Sequence, residues 1–204
     1  HYTSPRDALV DGITMISQEL TLVPKLGVLE NVFLGMETHR AGILQGDDMR
    51  QRYERLTARS GFSLPTDVSV AKMRVADQKK VEILRAIARN AQLIVMDEPT
   101  AALSADETEK LLDIVRWLRD AGTTIVYISH FLEEVLSLAD IVTVLRNGQL
   151  VRTAPARQET AESLVTSMLG RAMNLAFPPK IHPAPDAPVV FSVEGLARAG
   201  LIEN

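Results

Sequence analysis

The sequence predicts an α/β fold with an open, mostly parallel β-sheet and an inserted helical segment. Short apolar runs alternate with segments of helical periodicity, which is the pattern of a parallel sheet covered by helices. Three of the apolar runs end directly at polar residues, as strands do at the ligand-binding edge of such a sheet. A chain of 204 residues, 46% of them hydrophobic and 24% charged, is long enough for one such domain with a hydrophobic core.

The composition argues against several classes of protein. The net charge of −4 gives no general basic surface, so we expect no nucleic-acid partner. The absence of cysteine excludes disulfides, thiolate catalysis and cysteine-bound zinc. No uncharged apolar stretch reaches the roughly 18 residues that a membrane helix needs, so we expect no direct membrane insertion. Any membrane association is expected to go through a partner.

The first half of the chain predicts one strand followed by a helical insert. Residues 13–17 form a short apolar run that ends at Gln18, and the periodicity then becomes helical over 28–91. One helix of the insert is expected to be capped by Asp47-Asp48 and to stop at Gly61. A second helix is expected over 77–90.

The second half of the chain predicts two more strands that end at polar residues. Residues 92–96 form an apolar run that breaks at Asp97 and Glu98, and 123–129 form another that ends at His130. The other predicted elements are a helix capped by Ser104 or Asp106 and ended at 121–122, helices at 132–138 and 161–169, a hairpin of 141–145 and 149–152 joined by Asn147-Gly148, a Pro-rich linker at 178–188 and a strand at 189–193.

The polar residues at the strand ends suit the chemistry of phosphoryl transfer. Ligands of open parallel sheets bind outside the carboxyl ends of the strands, where Gln18, Asp97, Glu98 and His130 are expected. Of two adjacent carboxylates, one can hold Mg²⁺ through its water shell while the other orients or deprotonates a water. Simpler structural roles stay open, because the carboxylates could only begin a turn before Pro99 and His130 could be a structural residue at a strand end.

The order of these residues resembles that of the ATP-binding cassette (ABC) ATPases. A glutamine after one strand, a helical insert, Asp-Glu after the next strand and Ser-His after the third match the family's Q-loop, Walker B motif and switch histidine. Closer matches favour the tandem sugar-importer branch, and the resemblance runs from residue 4 to about 171. These matches are SerProArgAspAla at 4–8, IleSerGlnGluLeu at 16–20, AsnValPheLeuGly at 31–35, AspGluProThrAlaAlaLeu at 97–103 and TyrIleSerHis at 127–130.

The resemblance implies a P-loop NTPase-like (RecA-like) fold that binds ATP and Mg²⁺. It implies that Gln18 and Asp97 hold the metal, and that Gln18 also reaches the attacking water. It further implies that Glu98 is the catalytic base, that His130 contacts the γ-phosphate and that 101–104 cross a dimer seam. The implied partners are transmembrane permease subunits, a second ABC domain and, indirectly, a periplasmic sugar-binding protein, at the cytoplasmic face of a bacterial inner membrane.

The sequence departs from the family in lacking a phosphate-binding loop. No Gly-x-x-x-x-Gly-Lys-Ser/Thr occurs among the 204 residues, and the family has that loop before the Q-loop. We therefore expect 1–177 to be a partial first ABC domain, 178–188 a linker and 189–204 the first strand of a second ABC domain. Such a fragment alone is expected to hydrolyse little ATP.

A second departure lies at the family's signature motif, approximately Leu-Ser-Gly-Gly-Gln. Arg74 stands in place of the serine and Ala76 in place of a glycine, and Asp77 repels phosphate. Arg74 could offset this repulsion with a charge-assisted contact. The residues expected to face nucleotide here are Arg74, Val75, Ala76, Asp77, Gln78 and Ser104. The competing interpretation is that 73–78 are simply the capped start of a helix.

The helical insert and the overall function each allow more than one interpretation. Residues 19–36 resemble the surface that lies beneath a permease, but their apolar members could equally be ordinary core. The arginines at 50, 52, 55 and 59 suggest a solvated helix face rather than a binding patch. Two rival functions are a soluble ABC ATPase that acts on ribosomes or DNA, and a non-catalytic ABC-like interaction remnant.

Overall fold

A computed structural model describes residues 2–40 and 43–170 of the chain, together with the isolated Ser192. Its main elements in chain order are α1 (Pro5–Val10), β1 (Ile13–Ile16), α2 (Val28–Val32), β2 (His39–Arg40), β3 (Ile43–Leu44), α3 (Gly46–Ser60), α4 (Val75–Ala88), β4 (Leu93–Asp97), α5 (Ala105–Asp120), β5 (Thr124–Ile128), α6 (Leu132–Leu138), β6 (Ile141–Arg146), β7 (Gln149–Pro155) and α7 (Ala161–Leu169). Two short 3-10 helices, Val70–Lys72 and Ala156–Gln158, complete the elements of these described ranges.

A three-stranded parallel sheet organises the molecule, and its order is β1, β4, β5. Ile16 lies beside Met96, and Asp97 lies beside Ile128, so the carboxyl ends of the three strands meet at one edge. Parallel neighbours require crossover connections, which here are the helical insert between β1 and β4 and helix α5 between β4 and β5. The predicted parallel α/β architecture is confirmed.

The hydrophobic core joins the sheet to the insert. Side chains from β1, β4, α2, α4 and α5 pack together, among them Ile16, Met96, Val32, Leu84 and Leu111. The face that each helix buries follows from its apolar residues at spacings of three and four. A second, smaller cluster lies beside the β6–β7 hairpin and consists of Val142, Val144, Ala156 and Leu164.

The helical insert agrees with the predicted pattern but differs at its caps. Helix α3 ends where Gly61 takes the left-handed conformation, with φ 68°, as predicted. The prediction that Asp47-Asp48 cap this helix is wrong, because its N-cap is Gln45 and the Asp48 carboxylate accepts a hydrogen bond from Thr38 Oγ1 at 2.7 Å. Helix α4 begins at Val75, two residues before its predicted start.

Burial decides part of the question of whether 19–36 form core or a permease-facing surface. Val28 is completely buried in the core, so for this residue ordinary packing is correct. Leu22 packs against the core while partly exposed, and Val23 is exposed. Val23 is therefore better placed to meet a partner than Leu22 or Val28.

The arginines of α3 are partly engaged within the chain. Arg50 forms an ion pair with Asp67, and Arg52 lies over the ring of Phe33 at 4.6 Å. Arg59 lies over the ring of Trp117 at 3.6 Å from the centroid, at the distance of a cation–π contact. These contacts favour the interpretation of the run as a solvated helix face over a binding patch.

The β6–β7 hairpin has the predicted turn. Asn147 and Gly148 both have positive φ, 52° and 74°, which is the backbone that the Asn-Gly sequence favours between antiparallel strands. The predicted linker at 178–188 and strand at 189–193 fall outside the described residues, apart from Ser192. In the described part of the chain, no helix is long and apolar enough to cross a bilayer.

Candidate functional site

The parallel sheet brings the four residues of the first predicted group to one edge. Glu98 follows Asp97 at the end of β4, and His130 and Gln18 each lie two residues beyond the ends of β5 and β1. We call Gln18, Asp97, Glu98 and His130 the sheet-edge group. The structure joins Glu98 and His130 directly, whereas Gln18 is exposed and reaches this edge through the strand register alone.

Glu98 and His130 form a closely bonded pair. Glu98 Oε1 accepts the backbone N–H of His130 at 3.1 Å and lies 2.9 Å from His130 Nδ1. An ionised carboxylate can only accept, so Nδ1 carries the proton, and in the neutral imidazole Nε2 is then an acceptor. The Glu98 side chain is 16% exposed and the His130 side chain 62%, so the histidine can meet a ligand from solvent while holding the carboxylate.

Backbone geometry fixes the direction of the Glu98 side chain. Its φ is 46°, in the left-handed region that non-glycine residues seldom adopt. The Glu98 N–H donates to the carbonyl of Ile128 at 2.9 Å, which keeps this turn against the end of β5. Such strain is often found where a side chain must be aimed at a ligand.

Two acceptors of the sheet-edge group have no partner within the described residues. Glu98 Oε2 is buried and makes no hydrogen bond, and the Asp97 carboxylate makes no hydrogen bond or ion pair there. A buried unpaired carboxylate oxygen is costly unless a water or ligand satisfies it. These free oxygens fit a magnesium ion and an attacking water.

Asp97 and Gln18 carry the oxygen atoms that Mg²⁺ prefers as ligands. No cluster of three or more His, Asp or Glu side chains suited to a metal occurs in the residues that the structure describes. Mg²⁺ is commonly held by one or two carboxylates and completed by waters and substrate phosphates. Asp97 with the nearby Gln18 is consistent with that kind of site.

A set of contacts behind β4 and β5 was not foreseen from the sequence. Glu134 Oε2 accepts hydrogen bonds from the hydroxyls of Thr100 at 3.0 Å and Tyr127 at 2.7 Å. Burial, followed by the hydrogen bond to Glu134, raises the pKa of Tyr127 far above its ordinary value, so the phenol remains a donor. These bonds tie α6 to the turn after Glu98. The sequence signal for these contacts is the position of the carboxylate Glu134 within the short helix α6.

The second predicted group lies where helices α4 and α5 meet. Asp77 accepts from Arg74 at 3.0 Å and from Lys80 at 2.9 Å. Lys80 also pairs with Glu107 at 2.5 Å, and Glu107 in turn accepts the backbone N–H of Ser104 at 3.0 Å. We call Arg74, Asp77, Lys80, Ser104 and Glu107 the α4–α5 group, and none of them forms a hydrogen bond or ion pair with Glu98 or His130.

The expectation that Arg74 offsets the charge of Asp77 toward a phosphate stays a prediction, since the Arg74 side chain is 77% exposed. The Arg74 guanidinium is engaged with Asp77 itself, and the Asp77 carboxylate binds two cations. Val75 is largely exposed at the first turn, while the Gln78 side-chain amide donates to the Met73 carbonyl at 2.9 Å. The charges at the start of α4 are thus paired with one another.

The ionisation of the α4–α5 group follows from these ion pairs. Burial alone would raise the pKa of Asp77, but hydrogen bonds from Lys80 and Arg74 outweigh it and lower the pKa. The hydrogen bond from Lys80, with that from the Ser104 backbone, lowers the pKa of Glu107 to about 2. Both carboxylates are therefore ionised at neutral pH.

The fold and the strand-end polar residues define a class, the ATP-binding cassette ATPases. A solved dimeric ABC cassette of a bacterial ABC transporter superposes with a TM-score of 0.62 at 25% identity, covering 70% of this chain and 62% of that one. A cassette described as a post-hydrolysis dimer bound to ADP and Pi superposes with a TM-score of 0.66 at 24% identity, over 76% of this chain and 69% of that one. The latter likeness concerns the fold alone.

Sequence comparison gives the family. The ABC transporter family model matches residues 3–101. A ribose import ATP-binding protein of Rubrobacter xylanophilus is 44% identical over 202 residues, 98% of this chain and 38% of the relative. A ribose import ATP-binding protein of Escherichia coli O157:H7 is 43% identical over 87% of this chain and 35% of the relative, and a xylose import ATP-binding protein of Photobacterium profundum is 40% identical over 91% and 36%. The chain belongs to the ABC transporter family, and it spans little more than a third of the length of these relatives.

Proposed function

We propose that this chain is part of the ATP-hydrolysing subunit of a bacterial ABC importer that couples ATP hydrolysis to carbohydrate uptake. The observation that carries the proposal is the Glu98–His130 pair, with its unpaired buried oxygen, beside Asp97 at the sheet edge. The names of the relatives, which refer to ribose and xylose import, support a sugar as the cargo.

The proposal includes a domain organisation. Residues 1–177 would belong to a first ABC domain, 178–188 to a linker and 189–204 to the beginning of a second ABC domain. The matches that extend over 197 and 202 residues of this chain support continuity across the linker. Since no phosphate-binding loop occurs in the 204 residues, the proposal assigns that loop to another part of the protein.

The proposed partners and location follow from importers of this kind. The subunit would bind transmembrane permease subunits, through the segment that includes Val23, and its link to a periplasmic sugar-binding protein would be indirect. It would lie at the cytoplasmic face of a bacterial inner membrane as a peripheral subunit. The exposure of Val23 beside the core is consistent with such a contact.

The proposed reaction is attack of water on the γ-phosphate of ATP, which breaks the bond to the β–γ bridging oxygen and releases ADP and phosphate. Bound Mg²⁺ would neutralise charge on the phosphate oxygens. Asp97 would hold the metal through its water shell, with Gln18 beside it. Glu98 would hold the attacking water at Oε2 and accept its proton, while Oε1 stays bound to His130.

His130 would act on both the base and the phosphate. Its Nδ1–H holds Glu98, so Nε2 is the nitrogen left to face solvent and the γ-phosphate. Nε2 can donate to a phosphate oxygen only when the ring carries a second proton, and that proton cannot come through Nδ1, which is already protonated. It would come from solvent, to which the ring is open.

Arg74, Val75, Ala76, Asp77 and Gln78, with Ser104, would face nucleotide in the opposing ABC domain. The ion pairs of Asp77 with Arg74 and Lys80 support an impaired contact there, because the cations are already engaged. The full protein would then have two unequal sites. The site that contains Glu98 would be competent, and the site that meets the start of α4 would be impaired.

The experiment is a Glu98→Gln substitution in the full-length subunit. Removal of the base is expected to lower kcat by about 10²- to 10⁴-fold, with ATP binding retained, because only proton transfer is lost. Glu133→Gln, at an exposed glutamate of α6, is the matched control and should leave kcat unchanged. Equal activity of Glu98→Gln and the control, or an inactive wild-type subunit, would refute the proposed role.

A further inference from the structure

A buried ion pair on α4 holds the segment that carries Gln18. Lys79 and Glu82 lie one helical turn apart, their charged atoms are 3.3 Å apart, and their side chains are only 4% and 1% exposed. Two buried charges need further hydrogen-bond partners in addition to each other. Both find these partners in the irregular segment after β1.

Each member of the pair anchors one point of that segment. Lys79 Nζ donates to the carbonyl of Ser17 at 2.5 Å. Glu82 Oε1 accepts the backbone N–H of Thr21 at 2.6 Å and its hydroxyl at 2.9 Å. Arg85 adds bonds to the Thr21 carbonyl at 3.1 Å and to the Thr21 hydroxyl at 2.5 Å.

Gln18 lies between these two anchors. Residues 18–20 make no hydrogen bond to the part of the chain that the structure describes, whereas both flanking residues are bonded to α4. From Val23 onward the chain is held separately, by the buried side chain of Asn31. The path of the three-residue arc 18–20 is thus determined by β1 on one side and by Lys79 and Glu82 on the other.

We infer that Lys79 and Glu82 are positioning residues that set where Gln18 stands relative to Asp97 and Glu98. This inference rests on the proposed function, because it assumes that Gln18 serves the reaction at the sheet edge. We expect neither side chain to reach the nucleotide, since both are buried and bonded to each other and to Ser17 or Thr21. They act through the backbone of Ser17 and Thr21, and so through the direction in which Gln18 leaves the sheet.

The main test replaces the buried pair together, as Lys79→Met with Glu82→Leu in the full-length subunit. The double change leaves neither member of the pair as an unpaired buried ion. Arg85, whose side chain is 14% exposed, loses the Glu82 carboxylate but keeps its hydrogen bonds to Thr21. A displaced Gln18 is expected to lower kcat by roughly 10- to 100-fold, with the KM for ATP within about threefold of wild type, because small misplacements near reacting groups have effects of this size. Gln18→Ala added to the pair should lower kcat by less than about twofold more.

A second readout does not depend on turnover. In hydrogen exchange without nucleotide, the Thr21 amide is expected to exchange at least about tenfold faster in the double variant than in wild type, because its acceptor is gone. The matched control is Glu159→Gln, which neutralises a buried carboxylate bonded to Arg152 and Ser163, away from this segment. The control should change neither the exchange of Thr21 nor kcat.

A milder pair of variants keeps the test decisive if the double variant unfolds. Thr21→Val removes only the hydroxyl bonds to Glu82 and Arg85, and Thr21→Ser retains the hydroxyl. The inference predicts a loss of kcat for valine and its restoration by serine. If Gln18→Ala lowers kcat but Thr21→Val and the double variant do not, the inference is wrong while the proposed function stands. If wild type does not hydrolyse ATP, the proposed function itself fails, and the exchange of Thr21 still reports on the anchors.

Discussion

The sheet-edge group and the α4–α5 group each contain an aspartate and a glutamate but use them differently. At the sheet edge, Glu98 Oε2 is buried without a partner and the Asp97 carboxylate is unpaired among the described residues. Between α4 and α5, Asp77 and Glu107 share Lys80, and Asp77 binds Arg74 as well. One group has acceptors available to a ligand, and the other has satisfied its charges internally.

The sheet-edge group is therefore suited to binding a ligand, whereas the α4–α5 group supports the structure. An unpaired buried carboxylate oxygen lowers stability, and such costs are usually found at functional sites. Ion pairs that close on themselves hold a helix start against its neighbour instead. They therefore stabilise this helix start although Arg74 and Ala76 stand where the resemblance leads us to expect a serine and a glycine.

The largest expected effect after loss of the base is that of His130→Ala in the full-length subunit. This change removes the Nδ1 bond to Glu98 and the nitrogen available to a phosphate, so we expect kcat to fall by about 100-fold. The histidine side chain is 62% exposed, so the midpoint of thermal unfolding should move little. Steady-state ATPase assays and thermal unfolding measure the two quantities.

The pair also predicts how His130→Ala combines with Glu98→Gln. Because the two side chains act together, the double variant should be little slower than Glu98→Gln alone. If the losses in kcat of the two single variants multiply fully, His130 acts independently of Glu98, and the two residues do not form a catalytic pair.

A smaller effect is expected in the α4–α5 group, where Glu107→Gln should reduce stability without reducing turnover. The Lys80 hydrogen bond lowers the folded-state pKa of Glu107 to about 2, so its charge stabilises the folded state above the unfolded pKa of about 4.3. After allowance for solvent screening, the free energy of unfolding should fall by about 1 kcal/mol at pH 7.

The pH dependence checks the cause of that difference. As the pH falls from about 4.3 toward 2, Glu107 becomes protonated and the gap between wild type and Glu107→Gln should close. Urea unfolding at a series of pH values measures the gap. Glu109→Gln, at an exposed glutamate on the same helix, is the control, and a gap of constant size across this range would contradict the assignment to Glu107.

Much of the fold could be predicted because the local signals agree with the tertiary structure. The predicted helix at 132–138 matches α6, and the helix at 161–169 matches α7. For α7 the cap at Thr160, the left-handed Gly170 and the apolar spacing mark the same ends. The start of α3 was predicted wrongly because Asp48, a favourable cap by residue type, is bonded to Thr38 instead. Tertiary hydrogen bonds of this kind produce no periodic pattern in the sequence.

The candidate site was predictable in its members but not in its bonds. Strand ends and residue type point to Asp97, Glu98 and His130 together, since parallel strands bring their carboxyl ends to one edge. The bond between Glu98 and His130 depends on a left-handed backbone at Glu98, which no pattern in the sequence specifies. Nor does spacing reveal Lys79 and Glu82, because their partners Ser17 and Thr21 are about sixty residues earlier in the chain.

The smallest expected effect on turnover comes from Ala76→Gly combined with Asp77→Gln at the start of α4. Both changes move the turn toward the signature that it resembles, and the change at Asp77 also removes the ion pairs with Arg74 and Lys80. ATP hydrolysis by the full-length subunit should therefore remain within about twofold of wild type or increase, since Glu98 acts at a different site. Stability should fall by about 1 kcal/mol, as expected for a glycine in a helix and the loss of the Asp77 ion pairs.

Comparison with two further variants decides what this result means. Ala105→Gly places a glycine in the exposed first turn of α5 and reports the stability effect of glycine alone. Glu98→Gln reports the loss of the base. If Ala76→Gly with Asp77→Gln reduced turnover as severely as Glu98→Gln, the ion pairs of Asp77 would have to support catalysis directly, and the separation between the sheet-edge group and the α4–α5 group would no longer hold.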